Sequence, residues 1–377
     1  MAQTSTLKKR WAVMAIVLGI IVYLALWPIP AQPGSWEAGA APGYAGAHAH
    51  NTRLAGLQTI SIGAETGPEH IAFGPDGKLY AAVTSGKILR MDPDGGRREV
   101  FADTGGRVLG FAFDRAGALI AADADRGLLS IAPDRQLRVL ADRTAAGDPI
   151  RYADGVVVAG DGIVYFTDAS ARFAPREWGG TFEASVLDIL EQSATGRVLA
   201  YDPASGRTRV VAHGLSFANG IALSLDGRSL FVNETGRYRI WKIDVNADGI
   251  DVRAGTPAAR MLFDNLPGYP DNLMRGRDGR LWVGLAKPRN PTIDRLAAMP
   301  FLRGMILRLP RSLWPVPQAY GHVFAFDERG AVLADLQDPS GAYPETTGVT
   351  EAAGRLYIQS LHARHIGWMP GLRQERP

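Results

Sequence analysis

The sequence lacks cysteine altogether, so no disulfide holds the fold together. A chain of 377 residues, 46% of them hydrophobic, supplies a large core without that help, and the absence of cysteine therefore leaves the cellular compartment open. The sequence also lacks a Gly-x-Ser-x-Gly elbow and a phosphate-binding Gly-Lys-Ser/Thr loop. Neither serine-hydrolase chemistry nor nucleotide chemistry is supported.

An excess of charge of one sign is missing as well. The formal net charge is +3, and Lys8, Lys9 and Arg10 are three of the 41 basic residues; the 38 that remain balance 38 acidic residues. Because the body of the chain is charge-balanced, we predict no nucleic-acid partner.

Long apolar runs are also scarce, and the prominent one directly follows these basic residues. Residues 11–27 (WAVMAIVLGIIVYLALW) are uncharged and reach the lower length limit for a membrane span, about 17 residues. A cleavable signal peptide is the alternative, but its apolar region is usually shorter, and residues 28–33 (PIPAQP) contain no clear Ala-x-Ala cleavage site. We predict an uncleaved signal-anchor over residues 1–33, with a cytoplasmic basic tip and the rest exported, to a periplasm, a lumen or the cell exterior. Residues 34–53, rich in Gly, Ala and Pro, are predicted to be a linker that lifts the next domain off the membrane.

Glycine and proline are plentiful, with 44 and 24 residues, which favours an all-β fold with many turns. Four Asp-Gly pairs are each followed by an apolar-aromatic pair, a pattern that predicts strand, tight turn, strand. Each pair also has an oxygen-bearing side chain at the same upstream offset, hence at the same end of the first strand: Glu69 before Asp76-Gly77, Asp154 before Asp161-Gly162, Asn219 before Asp226-Gly227, and Asp271 before Asp278-Gly279.

Six such units follow one another, spaced like propeller blades with some long loops. The last unit ends after three strands, and residues 57–62 ahead of the first unit would supply its outer strand and close the ring. We predict an all-β fold, a six-bladed β-propeller with four-stranded blades over residues 54–377, preceded by one transmembrane helix. A β-sandwich is the alternative, but it gives no reason for the repeated offset. The predicted first strands are Ile71–Phe73, Phe111–Phe113, Val156–Val158, Ile221–Leu223, Leu273–Met274 and Val349–Thr350.

A radial arrangement of the units brings the four upstream side chains to one channel. Counted back from the turn, the equivalent residues of the second and sixth units are Leu109 and Thr346. Polar residues at strand starts often only bond to backbone groups, but converging carboxylates repel one another unless a cation lies between them. Three carboxylates and one amide suit a hard cation, which predicts Ca²⁺, with Mg²⁺ and Mn²⁺ as alternatives. The predicted metal ligands are Glu69, Asp154, Asn219 and Asp271.

Two insertions interrupt the repeat. Residues 181–192 (TFEASVLDILEQ) have apolar residues four apart, which predicts a helix in unit three, and residues 293–307 predict a second helix broken near Pro300 in unit five. These helices are either decorations on the propeller rim, or walls of the channel mouth or a membrane-facing surface.

Further stretches carry a family resemblance, and the most specific of them is residues 266–272 (LPGYPDN). The others are residues 67–72 (GPEHIA), 165–170 (YFTDAS) and 217–224 (FANGIALS). From about residue 65 to 369 the chain resembles the strictosidine synthase-like family, and residues 287–291 (KPRNP) are similar to a segment of members with an N-terminal anchor. That family resembles a wider calcium-dependent group of six-bladed gluconolactonases, paraoxonases and organophosphate hydrolases. The resemblance implies a channel metal held by the four predicted ligands.

Two departures from the family pattern bear on the chemistry. Asp154 stands where the family usually has Asn, which keeps an oxygen donor and adds a charge. Strictosidine synthases use a glutamate just after the strand equivalent to residues 281–283, whereas residues 284–287 (GLAK) contain no acid here. The resemblance therefore implies hydrolysis of small-molecule esters or lactones, of the arylesterase or lactonase type, rather than strictosidine synthase-type condensation. It also implies Asp271 as a ligand that doubles as general base or nucleophile.

Other candidate bases are His70, beside a predicted ligand, and His362 and His365 in unit six. Each is also explained as a structural or exposed histidine. A second hypothesis is a propeller without catalysis, in which the metal ties the inner strands together and a face binds a ligand or a protein.

Overall fold

The computed structural model describes residues 2–372 and shows a six-bladed β-propeller preceded by one N-terminal helix, α1 (Ala2–Leu26). Within α1, Lys8–Leu26 is long and apolar enough to cross a membrane. The end of the predicted propeller domain, residues 373–377, lies outside the described residues.

The first half of the propeller is regular until blade three, where two helices are inserted. Strand β1 (Gln58–Ser61) comes first. Blade one contains β2 (His70–Phe73), β3 (Leu79–Ala82), β4 (Lys87–Met91) and β5 (Glu99–Asp103). Blade two contains β6 (Val108–Phe113), β7 (Leu119–Asp123), β8 (Gly127–Ile131) and β9 (Leu137–Ala141). Blade three contains β10 (Ala153–Val158), β11 (Val164–Asp168), α2 (Pro175–Trp178), α3 (Thr181–Glu191), β12 (Gly196–Asp202) and β13 (Arg207–Leu215).

The second half repeats this plan with an insertion in blade five. Blade four contains β14 (Ala218–Leu223), β15 (Ser229–Glu234) and β16 (Arg239–Asp244); the short β17 (Ile250–Asp251) then pairs parallel with β13, and β18 (Ala259–Phe263) completes the blade. Blade five contains β19 (Gly268–Arg275), β20 (Leu281–Pro288), α4 (Pro291–Arg295), α5 (Pro300–Leu307), β21 (Gly321–Phe326) and β22 (Val332–Asp338). Blade six contains β23 (Thr346–Ala352), β24 (Arg355–Ser360) and β25 (His365–Pro370).

The Asp-Gly pairs form the predicted turns between first and second strands. Gly77 has a φ of +73° and Gly227 a φ of +70°, a left-handed conformation that glycine adopts without steric cost. The aspartate before Gly77 is equally suited, because its carboxylate accepts a hydrogen bond from the backbone N–H of Lys78 at 3.1 Å.

The ring closes as predicted. Strand β1 pairs antiparallel with β25 as the outer strand of blade six, with Gln58 opposite Trp368. Neighbouring blades are joined by apolar clusters; between blades one and two, for example, Ile88 and Phe111 are buried in one cluster. Burial of each such large side chain stabilises the fold by about 1.5–3 kcal/mol.

The inserted helices lie on the face where the first strands begin. A first strand starts at that face, and the antiparallel second strand returns to it. Helix α3 follows β11, and α4 and α5 follow β20, with the break between Arg295 and Pro300. The predicted helices are therefore placed beside the channel mouth rather than on the opposite face.

Residues 34–53, predicted to be a linker that lifts the domain off the membrane, lie against the propeller. Arg303 donates to the backbone carbonyl of Gly34, and Arg289 donates to that of Gly39 at 2.7 Å. A Gly- and Ala-rich composition removes side-chain contacts but leaves the carbonyls free to accept from long arginine side chains. The segment is therefore held by the propeller.

A polar cluster fastens the end of the same segment to blade five. Oδ2 of Asp335 lies 2.7 Å from Nδ1 of His48 and 2.7 Å from Nε2 of His322. Oδ1 of Asp335 accepts from Asn51 at 2.9 Å and from Gln337 at 2.5 Å. Although burial opposes it, these hydrogen bonds lower the pKa of Asp335.

Candidate metal centre

The four predicted ligands come together in one cavity of about 210 Å³ at the head of the channel. Glu69 directly precedes β2, and the other three lie at the starts of β10, β14 and β19. Each is only 4% to 6% exposed. The structure thus brings together, from four different blades, Glu69, Asp154, Asn219 and Asp271.

Side chains of neighbouring blades hold the backbone of the ligand residues. The carbonyl of Glu69 accepts from Thr347 at 2.9 Å and from Asn272 at 2.7 Å. The carbonyl of Asn219 accepts from Thr167 at 2.7 Å. The starts of the inner strands are therefore tied to one another across blade boundaries, which fixes the directions of the ligand side chains.

Glycine follows two of the ligands because the inner strands lie backbone against backbone. A Cβ on Gly220 would lie 2.3 Å from the backbone nitrogen of Leu273, and one on Gly155 would lie 2.8 Å from the carbonyl oxygen of Asn219. No side chain fits at that separation. The glycines thus allow ligands of adjacent blades to approach each other.

The carboxylates of the site interact strongly. Burial raises the pKa of Asp154 well above its ordinary range, and the charge of Glu69 adds to this effect. Burial also raises the pKa of Asp271, as do the charges of Glu69 and Asp154, while a hydrogen bond from the Asn219 side chain opposes the shift. Positive charge inside the cavity is the condition under which all three remain ionised.

Part of that positive charge comes from Arg107, which the sequence reasoning missed. Its Nη2 donates to Oε2 of Glu69 at 2.6 Å, and both side chains are buried. Arg107 precedes Leu109, the apolar residue that lines the cavity in blade two. Blade two thus contributes a cationic side chain to the cavity where other blades contribute oxygen donors.

The buried Oδ1 of Asn219 has no hydrogen-bond partner among residues 2–372. An unsatisfied buried amide oxygen costs about 1–3 kcal/mol, so it needs a partner of another kind. Together with three carboxylates, and without Cys or His, it forms a donor set that fits a hard divalent cation such as Ca²⁺.

Blade six contributes a hydroxyl residue, but the structure corrects which one. Thr346 pairs with Ser360 in blade six as Ala153 pairs with Asp168 in blade three, so Thr346 is equivalent to Ala153. The residue equivalent to the predicted ligand Asp154 is therefore Thr347. The turn between the first two strands is shorter in blade six than in blade one, so counting back the same number of residues from it reaches one residue too far, to Thr346. Thr346 instead exchanges hydrogen bonds with the backbone of blade five.

Of the three candidate histidines, His362 lines the cavity. Its Nδ1 is bonded to Glu345, which raises the pKa of His362. Burial lowers the pKa of His70 to about 4, and its ring packs against Phe111. His365 begins β25, where its carbonyl accepts from Tyr343. His362 is thus the histidine that the fold brings to the ligands.

Glu345 was also missed by the sequence reasoning. It forms an ion pair with Lys287, a second residue that lines the cavity, in addition to its bond to His362. The pair joins blades five and six at the cavity wall. Since Glu345 precedes β23 and lies outside the repeated offset, no pattern in the sequence pointed to it.

Comparison with known proteins agrees with this architecture. Residues 71–298 match the model of the SMP-30/Gluconolactonase/LRE-like region, and residues 46–91 match that of the strictosidine synthase-like N-terminal region. Strictosidine synthase-like protein 4 of Arabidopsis thaliana is 35% identical over 326 residues, which cover 83% of this chain and 81% of that protein. The chain belongs to the strictosidine synthase-like family.

A second relative aligns over more of this chain. The adipocyte plasma membrane-associated protein of Salmo salar is 30% identical over 380 residues, covering 93% of this chain and 86% of that protein. The resemblance inferred from the sequence motifs is confirmed by these matches.

Solved structures confirm the fold. A gluconolactonase from Xanthomonas campestris superposes with a TM-score of 0.56 at 19% identity, covering 91% of this chain and 98% of that one. The calcium-binding protein regucalcin from Agrobacterium tumefaciens superposes with a TM-score of 0.56 at 14% identity, covering 84% and 94%. At these sequence identities the structural similarity establishes the six-bladed propeller fold alone. The chemistry has to be inferred from the residues of the cavity.

Proposed function

We propose that this strictosidine synthase-like protein is a membrane-anchored, Ca²⁺-dependent hydrolase of carboxylic esters or lactones. The observation that carries the proposal is the unpartnered Oδ1 of Asn219, enclosed with three carboxylates in a cavity at the channel head. Such a set holds a cation, and a cavity of about 210 Å³ beside it leaves room for a small substrate.

The charges in the cavity favour one divalent cation. The three carboxylates and the guanidinium of Arg107 sum to two negative charges when all are ionised. One Ca²⁺ makes the set neutral, and burial makes any residual charge costly. The ion would be held by Glu69, Asp154, Asn219 and Asp271.

Bound there, Ca²⁺ supplies positive charge that polarises a carbonyl group and favours its attack by a nucleophile. Asp271, which shares the cavity with the other three proposed ligands, is the proposed general base or nucleophile. His362 is the second candidate for proton transfer. Because Glu345 is bonded to its Nδ1, Nε2 is left to take a proton, and the carboxylate stabilises the imidazolium that forms.

The walls of the cavity suit an ester or lactone with an apolar part. Phe217, Val186 and Ile189 line the cavity beside the polar ligands. Their side chains exclude water from the carboxylates, which strengthens every electrostatic interaction there. A neutral carbonyl compound is therefore a better match than a highly charged substrate.

The names of similar proteins also support these assignments. One solved structure with the same fold is named a gluconolactonase, another a calcium-binding protein, and one relative a plasma membrane-associated protein. The segment Lys8–Leu26 is the proposed anchor, and the basic residues at its start, Lys8, Lys9 and Arg10, keep the N-terminus cytoplasmic and the propeller on the exported side.

The test uses the full-length chain in lipid nanodiscs, with Ca²⁺ binding measured by calorimetry and turnover measured on aryl esters and lactones. Glu69→Gln and Asp271→Asn should each weaken Ca²⁺ binding and abolish turnover. Asp226→Asn is the matched control, since Asp226 belongs to the same repeat but lies at the exposed turn, bonded to Ser224. Ca²⁺ binding by a wild-type chain that turns over none of these compounds would support the propeller without catalysis instead.

A further inference from the structure

Large apolar side chains are exposed around the mouth of the cavity. They lie on α3, on α5 with the residue before it, and on the segment that leads to β21. Two of them, Phe182 and Val316, also line the cavity itself. The rim patch is defined here as Phe182, Met299, Phe301, Leu302, Leu313 and Val316.

On the rest of the described propeller, exposed large apolar side chains lie singly. Val100, Val139, Met261 and Leu333 belong to the outer strands of four different blades, and Leu225 lies at a turn on the opposite face. Isolated apolar residues are ordinary on protein surfaces, whereas a group of them around a cavity marks an interaction surface.

The outer end of α1 is attached directly beside the rim patch. Arg308, which follows α5, donates from Nε to the carbonyl of Trp27 at 2.6 Å, and the Tyr23 hydroxyl donates to the carbonyl of Arg308 at 3.2 Å. Tyrosine and tryptophan prefer the interface between membrane and water. The 19 residues of Lys8–Leu26 span about 29 Å as a helix, close to the thickness of a hydrocarbon core.

No slack separates this helix end from the propeller. Ala31 is buried in one apolar cluster with Leu190 and Leu307, and the backbone N–H of Gln32 donates to Glu191 at 2.8 Å. Because the chain is fixed within a few residues of the helix end, the propeller cannot move far from the membrane surface. With α1 as the proposed membrane span, the rim patch lies at the level of the lipid headgroups.

We infer that the rim patch enters the exported-side leaflet and that the cavity receives a substrate with a long hydrocarbon chain directly from the lipid phase. The continuity of the patch with α1 selects the bilayer over a protein partner. From the rim, apolar walls such as Val186 and Ile189 lead inward to the carboxylates, so a chain lying along them brings its carbonyl group to the ligands. The membrane contact stands apart from the activity, while the route for the substrate rests on the proposed hydrolysis.

The absence of cysteine makes the membrane contact directly measurable. Phe301→Cys and Leu302→Cys, each labelled with an environment-sensitive fluorophore, report on the rim patch of the full chain in nanodiscs. Leu225→Cys and Leu333→Cys are matched controls, since both residues are large, apolar and exposed. Lipids with a quencher on the acyl chain should quench the two rim labels and leave both controls bright. Rim labels as bright as the controls would overturn the inference.

The route for the substrate is tested with two probes, 4-nitrophenyl palmitate dissolved in the nanodisc and 4-nitrophenyl acetate in water. The double variant Phe301→Asp and Leu302→Asp should slow hydrolysis of the palmitate and leave that of the acetate at the wild-type rate, with the unfolding temperature as a check on folding. Equal palmitate rates in variant and wild type would refute the route. If the wild-type chain hydrolyses neither probe, the route fails for ester substrates, the assay on lactones decides the proposed function, and the quenching result still decides the membrane contact.

Discussion

The contact between inner strands at Gly220 makes a quantitative prediction. Gly220 follows the proposed ligand Asn219, and a Cβ added there would lie 2.3 Å from the nitrogen of Leu273 and 2.4 Å from the carbonyl oxygen of Asp271. These atoms belong to the backbone of β19 and cannot rotate away. Gly220→Ala therefore forces β14 and β19 apart by roughly 1 Å to restore ordinary contact.

Both the stability and the metal centre should respond to this change. Overpacking of this kind costs typically about 1–3 kcal/mol of unfolding free energy, and a backbone neighbour places the cost at the upper end. The same displacement separates two ligands, Asn219 and Asp271, which a cation needs at fixed distances of about 2.3–2.6 Å from itself. We expect Gly220→Ala to lower the free energy of unfolding and to weaken Ca²⁺ binding together.

The measurement is urea denaturation of the full chain in detergent, combined with calorimetric titration of Ca²⁺. Gly227→Ala is the matched control in the same hairpin: it has open space around its Cβ and a φ of +70°. The control should lose about 1 kcal/mol through backbone strain and keep its Ca²⁺ affinity. A Gly220→Ala variant with wild-type Ca²⁺ affinity would refute the reasoning, because the inner strands would then tolerate separation.

Three further predictions concern other parts of the molecule. Chelation of Ca²⁺ should lower the unfolding temperature of the wild-type chain but not that of Glu69→Gln. A bound ion at 100 times its dissociation constant stabilises the folded chain by about 2.7 kcal/mol, and chelation removes this contribution. Equal changes of unfolding temperature for the two chains in calorimetry would contradict the site. Asp335→Asn should cost about 1–3 kcal/mol in urea denaturation by removing the partner of His322. Because folding lowers the pKa of Asp335, the difference in unfolding free energy between wild type and variant should be largest above the ordinary pKa of 3.8 and should shrink as the pH falls below that value. A difference that grows in acid would contradict the assignment. Glu345→Gln should shift the acidic limb of the pH–rate profile to lower pH, because Glu345 raises the pKa of His362; an unmoved limb would remove His362 from proton transfer.

The sequence contained enough information to place the blades and the four predicted ligands. A turn such as Asp76-Gly77 depends on two adjacent residues, and the apolar pattern of the strands around it is also a local property of the sequence. Because each turn marks one blade, the radial arrangement of the blades brings the residues upstream of the turns to one axis. The convergence of Glu69 and Asp271 in one cavity follows from that repeat.

Contacts outside the repeat could not be predicted in the same way. Arg107 reaches Glu69 from the next blade, and nothing near Arg107 in the sequence indicates this partner. Residues 34–53 have the composition of a linker, yet distant arginines such as Arg303 bind their carbonyls. Such long-range bonds depend on the assembled propeller rather than on local pattern.

The pairing of β1 with β25 has a consequence for biogenesis. Gln58 is synthesised about 310 residues before its partner Trp368. Blade six therefore stays incomplete, with an open strand edge, until Trp368 has been made, and closing so long a loop is entropically costly. With α1 as the proposed membrane anchor, the early strand is retained beside the bilayer, and the closing of the propeller ring is expected to take place at the membrane surface.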